Sequence, residues 1–290
     1  MKFGKIADPS EIDFSLPAEH SDTIRILQKQ KKTARPPVYI GCAKWNRQDL
    51  KGFYPRGTKD ELAYYATQFN SIELNATFYQ QYDAGQMEKW KQKVPQGFRF
   101  YPKIPQRISH FGRLSNVEAL TETTCECYRA FGENLGITFL QMPDNFGPKN
   151  FDRLESFLQN WPGDMRLALE LRNKLWYKDS DITDRLCHLM EQHAITHVLT
   201  DTAGRRDLLH MRFTTPFTFI RYVGANHESD YTRIDDWFKR LKQWIAGGVQ
   251  EINFFIHQNL EKESPLLSAK LVKRFNEELG YDLPLPAIAK

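Results

Sequence analysis

Polar side chains recur at the ends of apolar segments that have the length and composition of β-strands. In SIELNATF, Glu73 and Asn75 alternate with apolar residues, and in RLALELR the leucines share one face while Glu170 and Arg172 lie on the other. In EINFFIH, His257 ends the same kind of alternation. A strand directs alternate side chains to opposite faces, so these polar groups belong to one face of their sheet.

The charged members of this set fit the chemistry of an anionic substrate. Lys103 and Arg221, with Lys44, have the charge needed to hold a phosphate or carboxylate group. Glu73 and Glu170 would then act as acid and base, with pKa values set by burial and by the neighbouring cations. Paired carboxylates beside cations therefore predict an acid–base enzyme that binds an anion.

Other residues extend this predicted site. His110 follows the third strand in QRISH and is a candidate general base. Aromatic side chains can stack on a base or a sugar ring, and amides can orient a ligand. The predicted catalytic residues are Glu73, Glu170 and His110, and the predicted substrate-binding residues are Trp45, Tyr54, Asn75, Tyr79, Lys103, Gln141, Arg172, Trp176, Arg221 and His257.

Two alternatives stay open for the same residues. A divalent metal ion could be held by Glu73, Glu170, Asp201 and His257, which would give a metal-dependent hydrolase or isomerase. No compact ligand motif such as H-E-x-x-H is present, so no cofactor is predicted and a metal is kept only as an alternative. The other alternative is structural, because a Glu73–Arg221 or Glu170–Lys103 pair can be a buried ion pair with no catalytic role.

The strands and helices that must position these groups alternate along the chain. Eight apolar segments are separated by segments of helical character, which is typical of βαβ units and a parallel sheet. Eight strands in about 250 residues match the count and size of a (β/α)8 barrel. The connection over 202–216 is too short and polar for a crossover helix, so we expect an irregular barrel, with a mixed sheet as a variant. In such a barrel, polar residues at strand ends converge on the mouth.

Residues 1–37 are predicted to be an extension or linker, with a short helix over 19–29, and residues 38–290 to be the barrel domain. The extension ends in LQKQKKTARPP, a basic run closed by two prolines. This run, together with mouth aromatics, supports an alternative function as a non-enzymatic nucleic-acid-binding protein.

Composition narrows the class of protein. The 290 residues carry 40 basic and 36 acidic side chains, a formal charge of +4, which is too small to indicate a nucleic-acid binder by itself. The four cysteines form neither a zinc motif nor a disulfide framework. The N-terminus is charged where a signal peptide is apolar, and no apolar run is long enough to span a bilayer. We expect a cytoplasmic protein with no membrane partner.

Several segments together resemble a known family. GCAKW, YATQFNSIELNATFY, FRFYPKIPQRISH, LQMPDNF and LALELRNKLWY are similar to successive blocks of the YecE-like family, also called DUF72. The similarity extends over about 39–279, and the E-x-N-x-(T/S)-F-Y block that begins at Glu73 is its most specific element.

The resemblance implies an irregular TIM-type barrel and leaves the reaction open, because the family has no settled activity. Relatives tend to have His-Gly after the seventh-strand arginine, where this chain has RYVG, and Phe-Asn-Asn after the eighth strand, where it has FIHQN. The polar and aromatic positions that the family shares correspond here to Trp45, Phe53, Tyr54, Glu73, Asn75, Phe78, Tyr79, Lys103, His110, Gln141, Glu170, Arg172, Trp176 and Arg221.

Overall fold

The computed structural model of the chain describes residues 3–287. The strands are β1 (Val38–Cys42), β2 (Ser71–Leu74), β3 (Arg99–Pro102), β4 (Thr138–Gln141), β5 (Leu167–Glu170), β6 (Thr196–His197), β7 (Leu199–Thr202), β8 (Ile220–Gly224) and β9 (Ile252–Gln258). The helices are α1 (Ser21–Gln28), α2 (Glu61–Gln68), α3 (Ala76–Tyr79), α4 (Ala84–Lys91), α5 (Glu118–Arg129), α6 (Phe151–Gln159), α7 (Leu175–Lys178), α8 (Ser180–Gln192), α9 (Ser229–Gly247) and α10 (Ser264–Leu279).

Hydrogen bonds between parallel strands follow a ring. One sheet has the order β3-β2-β1-β9-β8-β7 and the other the order β4-β5-β6. Isolated parallel bridges, Phe100 to Leu135 and Lys103 to Phe139, connect β3 to β4. Only Val198 separates β6 from β7, and its amide donates to the Leu169 carbonyl of β5. The two short strands thus occupy one position of an irregular TIM-type barrel, as the sequence predicted.

Every strand pairing described for residues 3–287 is parallel, so the mixed sheet that we allowed for is absent there. The irregularity instead has two forms, the bridged seam between β3 and β4 and the missing helix after β7. A 3-10 helix, Ala203–Leu208, is the helical structure in that connection, which agrees with its predicted shortness.

Local sequence explains where several helices begin and end. Asp60, Asp83 and Asp179 precede α2, α4 and α8, and each carboxylate accepts a hydrogen bond from a first-turn amide. Gly248 and Gly280 end α9 and α10 with positive φ angles of 118° and 67°, which glycine adopts at little cost. The helix boundaries therefore follow ordinary capping chemistry.

The core has an outer and an inner part. Two large apolar clusters lie between the strands and the surrounding helices. A third, which includes Tyr101, Phe139, Phe219 and Phe255, fills the barrel interior. The predicted alternation is confirmed for β5 and β9, because Ala168 and Phe255 belong to the inner cluster while their neighbours pack outward. The aromatic filling closes the barrel beneath its mouth.

The N-terminal segment packs against the barrel. The carbonyl of Gly4 accepts a hydrogen bond of 2.8 Å from the amide of Gly204. Phe14 lies against Arg233, 4.4 Å from ring centre to guanidinium carbon. Helix α1 buries Ile26 and Leu27 in the same outer cluster as α9. No helix within residues 3–287 has both the length and the apolar character needed to cross a bilayer.

The close approach of β1 to β2 gives a test of the barrel packing. A methyl group added at Gly41 would lie 2.3 Å from the backbone oxygen of Ser71. We expect Gly41→Ala to destabilise the protein by about 1–3 kcal/mol, because the two strands must separate. Denaturant unfolding would measure the change. Gly163→Ala is the matched control, since nothing lies within 4 Å of the added atom. Equal midpoints for the two variants would contradict this packing.

Candidate functional site

A buried arginine lies at the centre of the polar side chains inside the barrel mouth. Arg221 of β8 donates from Nε and Nη2 to the two carboxylate oxygens of Glu73, both at 2.9 Å. Its Nη1 donates to Glu170 Oε2 at 2.7 Å, and Nη2 lies 3.3 Å from His257 Nε2. These partners belong to β2, β5 and β9, so one guanidinium group connects four strands.

The two carboxylates are fully engaged. Glu73 also accepts from Asn75 Nδ2 at 2.8 Å and lies 3.0 Å from His257 Nε2. Glu170 accepts from Gln141 Nε2 at 2.8 Å and from Arg172 Nε at 2.7 Å. Each of the four carboxylate oxygens therefore has at least one donor, and both side chains are buried.

Burial alone would raise the pKa of both carboxyl groups, but the neighbouring cations outweigh it. Arg221 and His257 hold the pKa of Glu73 well below its usual range. Arg172 and Arg221 lower the pKa of Glu170 to about 2. Both groups are thus ionised at neutral pH with a donor on each oxygen, a state suited to holding cations in place. This environment opposes their predicted role as acid and base and agrees with the structural alternative for Glu73.

Lys103 has the opposite environment. Its Nζ donates to Gln141 Oε1 at 2.8 Å and lies 4.0 Å from the centre of the Phe78 ring. Within residues 3–287, no carboxylate oxygen lies within 4.0 Å of this amine. Burial, with the positive charges of Arg221 and Arg172, lowers the pKa of Lys103 to about 7. The predicted Glu170–Lys103 pair is therefore not formed directly, because Gln141 lies between the two groups.

A cavity of about 810 Å³ opens above this network at the barrel mouth. Lys103, Arg172, His110 and His257 contribute to its wall, and the ring of Tyr79 stands at its rim with 69 % of its surface exposed. A smaller cavity of about 190 Å³ adjoins it. The mouth can accept a ligand of metabolite size.

Arg172 is a second cation of the cavity wall with unused hydrogen-bonding capacity among the described residues. Its Nε is bound to Glu170, while its two terminal nitrogens make no hydrogen bond within residues 3–287. The ring of Phe3 covers one guanidinium face, with 3.6 Å between the ring centre and Cζ. Since Arg172 lines the main cavity, its free N–H groups can receive an anion there.

His110 lies on an unusual element. A π-helix, Arg107–Phe111, follows β3, and such elements often occur at functional sites. His110 Nδ1 lies 2.9 Å from Ser109 Oγ. Burial and the charges of Lys103 and Arg172 lower the pKa of His110 to about 4, so its ring is neutral at neutral pH.

The structure brings most of the predicted residues together. Eight of them line the main cavity, Trp45 and Glu73 line the smaller one, and Glu170 lies buried among the network. The eight are Asn75, Tyr79, Lys103, His110, Gln141, Arg172, Arg221 and His257. Asn75 does so from an unexpected position, because β2 ends at Leu74 and α3 begins at Ala76, where a longer strand was predicted.

Tyr54 and Trp176 were predicted to bind the substrate, but neither residue lines the mouth cavities. The ring of Trp176 is fully buried against Phe146 and Phe151, and its Nε1 donates to the Phe146 carbonyl at 2.7 Å. The hydroxyl of Tyr54 donates to the carbonyl of Trp45. Both aromatic rings therefore fill the outer core and anchor loops, where a ligand cannot stack on them.

The four residues of the metal alternative are not brought together. Asp201 shares the outward face of β7 with Leu199, and its carboxylate accepts from Trp237 Nε1 at 2.7 Å and pairs with Arg233 at 2.9 Å. It is therefore separated from Glu73 and Glu170 by the strand itself. In the part of the chain that the structure describes, no group of three His, Cys, Asp or Glu side chains is arranged to hold an ion.

The basic run and the mouth lie at opposite ends of the barrel. The run precedes β1, and its Lys31 carbonyl accepts from Gln250, which precedes β9. Parallel strands place these residues at the amino-terminal end, whereas the cavity lies at the carboxyl end. The basic run and the mouth aromatics therefore do not form one continuous nucleic-acid-binding surface.

Residues that sequence reasoning missed also lie at the mouth. Phe111, 73 % exposed, and Glu261 line the cavity, and Phe3 covers Arg172. Phe111 directly follows His110, so its place in the loop after the third strand was an available signal. Nothing in the sequence near Phe3 indicated that the start of the chain reaches the mouth.

Fold and site together define a class, a parallel (β/α)8-type barrel with a buried charge network under a cationic mouth. The family model "Protein of unknown function DUF72" matches residues 39–289, and the chain belongs to that family. The UPF0759 protein YecE of Escherichia coli K12 is 24% identical over 277 residues, which cover 87% of this chain and 97% of YecE.

Solved structures support the fold. A DUF72 family protein from Enterococcus faecalis has a TM-score of 0.69 at 17% identity and covers 86% of this chain and 100% of its own. A DUF72 family protein from Thermotoga maritima has a TM-score of 0.67 at 24% identity, with 83% and 99% covered. The predicted family and barrel are therefore confirmed.

Removing the central cation should be costly. We expect Arg221→Met to destabilise the protein by about 3–5 kcal/mol at neutral pH, because Glu73 and Glu170 remain buried without their main partner. Denaturant unfolding at several pH values would measure this loss. In the wild type, the lowered pKa values of Glu73 and Glu170 stabilise the folded state. This stabilisation is complete above the carboxyl pKa of the unfolded chain, about 4.3, and is lost as the pH falls through the pKa values of the folded state.

Without Arg221 those pKa values rise, so the deficit should shrink between neutral pH and about pH 5 as the carboxylates become protonated. Arg129→Met is the control, because Arg129 pairs with Asp164 on the surface and should matter far less. A deficit that stays constant with pH, or one no larger than the control's, would contradict the buried pairing.

Proposed function

We propose that the protein is an enzyme that binds a small substrate with a phosphate or carboxylate group in the mouth cavity. The observation that carries this proposal is the pair of cations with unused donors on the cavity wall. Among residues 3–287, the two terminal nitrogens of Arg172 have no hydrogen-bond partner and Lys103 has one, Gln141. Polar donors around a concave cavity are typical of a small-molecule site.

The charge balance of the buried network supports the same ligand class. Apart from His257 and its neighbour Glu261, Arg172, Arg221 and protonated Lys103 carry three positive charges and Glu73 and Glu170 carry two negative charges, an excess of 3 − 2 = +1 among these five groups. An isolated buried charge is unfavourable, and the lowered pKa of Lys103 expresses that cost. An anionic group beside Lys103 would neutralise the excess and raise this pKa again.

The same charge balance favours Lys103, in place of Glu73 and Glu170, as the residue that transfers protons. A group whose pKa lies near the working pH is the most effective acid or base, and Lys103 at about 7 meets this condition better than Glu170 at about 2. Glu73 and Glu170 then act as positioning residues that fix Arg221 and Arg172. His110, a neutral imidazole on the same wall, is the second candidate for proton transfer.

The rim indicates what the rest of the substrate resembles. Tyr79 and Phe111 present exposed rings at the cavity, and their exposure of 69 % and 73 % is unusual for aromatic side chains that only pack. Aromatic faces suit the apolar side of a sugar or a heterocyclic ring. A phosphorylated sugar fits both the cations and the rim.

Anion binding should depend on pH through Lys103. The probe should keep its charge between about pH 6 and pH 9, as a carboxylate or a sulfate ester does. Affinity should be constant below about pH 7 and fall above it, by up to tenfold per pH unit, because the neutral amine no longer attracts the anion. Calorimetric titration would measure this profile. Lys103→Arg should keep the binding and lose this pH dependence.

Thermal unfolding with a panel of sugar phosphates, carboxylates and short oligonucleotides would first identify such a probe. A ligand at about 100 times its Kd stabilises the folded state by about 2.7 kcal/mol. Arg172→Met should lose the response, while Lys89→Met, an exposed lysine on α4, should retain it. The proposal fails if no anion stabilises the wild type or if the Arg172 variant responds equally. A salt-sensitive response to oligonucleotides alone would favour the nucleic-acid alternative.

A further inference from the structure

We propose that Lys103 is a nucleophile that forms an imine with a carbonyl carbon of the substrate. The substrate class is then an aldehyde or ketone that also carries an anionic group, such as a 2-oxo acid or a phosphorylated sugar in its open form. This inference rests on the proposed function and names the chemistry of the same site. The observations that carry it are the placement of the amine and the nature of its neighbours.

The backbone holds Lys103 at a fixed place at the end of β3. Its carbonyl accepts hydrogen bonds from Thr77 Oγ1 at 2.8 Å and from the Tyr128 hydroxyl at 2.9 Å. Its amide donates to the Leu74 carbonyl at 3.2 Å. A rigid origin of this kind is what a reacting group at the carboxyl end of a barrel strand requires.

The amine itself lies in an environment that favours its neutral form. Its Nζ lies 4.0 Å from the centre of the Phe78 ring and 5.4 Å from the centre of the Phe139 ring. Its hydrogen-bond acceptor is an amide oxygen, Gln141 Oε1, and within residues 3–287 no carboxylate contacts it. The ring faces attract the ammonium form, but removal from water and nearby cations oppose it, and these two conditions activate a lysine for attack on carbonyl groups. The lowered pKa of Lys103, about 7, agrees with this geometry.

A purely structural lysine would have a different setting. The buried arginines of this protein each contact carboxylates, as Arg221 contacts Glu73 and Glu170 and Arg233 contacts Asp201 and Asp230. Gln141 connects Lys103 to Glu170 through its amide and separates the two charges. The network therefore satisfies its arginines with carboxylates and leaves its lysine without one, facing the cavity.

The chemical step balances within the site. The nitrogen lone pair of neutral Lys103 attacks the carbonyl carbon, a C–N bond forms, and the C=O π electrons move to oxygen. That oxygen takes up the proton that the nitrogen loses, which gives a carbinolamine. A second proton, taken up from solvent, adds to the hydroxyl, which leaves as water while the nitrogen lone pair forms the C=N bond. The nitrogen keeps its remaining hydrogen, so the product is a protonated imine. The reaction joins amine and carbonyl with loss of one water and needs no oxidant or reductant.

Neighbouring groups match the needs of this step. His110 is neutral and lies on the same wall, so it can carry a proton between nitrogen and oxygen. Arg172 presents free N–H groups to the anionic part of the substrate. The substrate's negative charge then offsets the positive charge of a protonated imine, which restores the balance that Lys103 alone disturbs.

Reductive trapping tests the proposal. The intact protein is incubated with pyruvate, with glycolaldehyde phosphate or with acetone as an uncharged control probe, and then treated with sodium borohydride. We expect a mass increase equal to the probe less one oxygen atom, from one of the two anionic probes, and peptide mapping should locate it on Lys103. Acetone should give little product, because it has no group for Arg172.

The variants separate an imine from simple anion binding. Lys103→Arg keeps the charge and cannot be trapped, so it should lose the adduct, whereas Lys89→Met should retain it. Thermal unfolding of Lys103→Arg verifies that the variant is folded. Arg172→Met should lower the yield of adduct from the anionic probes toward that of acetone.

Each outcome has a distinct meaning. Stabilisation by the anionic probes without any adduct overturns the imine and leaves the proposed anion-binding function standing. Label spread equally over exposed lysines also overturns it, since the reactivity is then not specific to the site. Neither stabilisation nor adduct from any anionic compound overturns both proposals. An adduct on Lys103 that Lys103→Arg abolishes supports the imine.

Discussion

The interior of this barrel depends on one buried guanidinium group. Arg221 on β8 is bound to Glu73 on β2 and Glu170 on β5, and these strands lie at the seventh, second and fifth positions of the eight-membered ring. The group therefore connects the ring across its interior. Removing three charges from water is expensive, and only complete pairing offsets the cost. Asn75, Gln141 and His257 supply the additional hydrogen bonds that complete it.

The properties of the mouth follow from this arrangement. Because the carboxylates are committed to Arg221 and Arg172, they have no direct contact with Lys103. The lysine then remains with an amide oxygen as its acceptor, and burial together with two neighbouring guanidinium groups lowers its pKa to about 7. A single structural requirement, the pairing of a cross-barrel arginine, thus leaves an amine with a lowered pKa on the cavity wall.

The sequence alone could predict the fold and much of the candidate site because side chains alternate between the two faces of a strand. Alternation fixes which residues of β5 and β9 face inward, and the alternation of Glu170 and His257 with large apolar residues was unambiguous. Asp201 could have been excluded by the same rule, because it shares a face with Leu199, which packs outward. Alternation along the strand is therefore a better guide to the barrel interior than polar character near the strand end.

Other features could not be predicted because they depend on tertiary contacts. Asn75 directly precedes helix α3 and still binds Glu73, which could be predicted only if the end of β2 were known. The pairing of each carboxylate determines whether its pKa rises with burial or falls beside a cation, and a sequence of strands does not specify those pairs. Trp176 resembled a stacking residue by its position, yet the short helix α7 places its ring in the core.

The N-terminal segment bears on how a ligand reaches Arg172. The family model begins at residue 39, but Phe3 lies on one face of the Arg172 guanidinium, and the Gly4 carbonyl holds the segment against Gly204. Stacking on a guanidinium face leaves its edge available, because N–H donors lie in the plane of the group. Phe3 therefore holds the plane of Arg172 while its terminal nitrogens stay directed to in-plane acceptors. The segment thus adds to the barrel a contact that restricts the orientation of one cation of the mouth cavity.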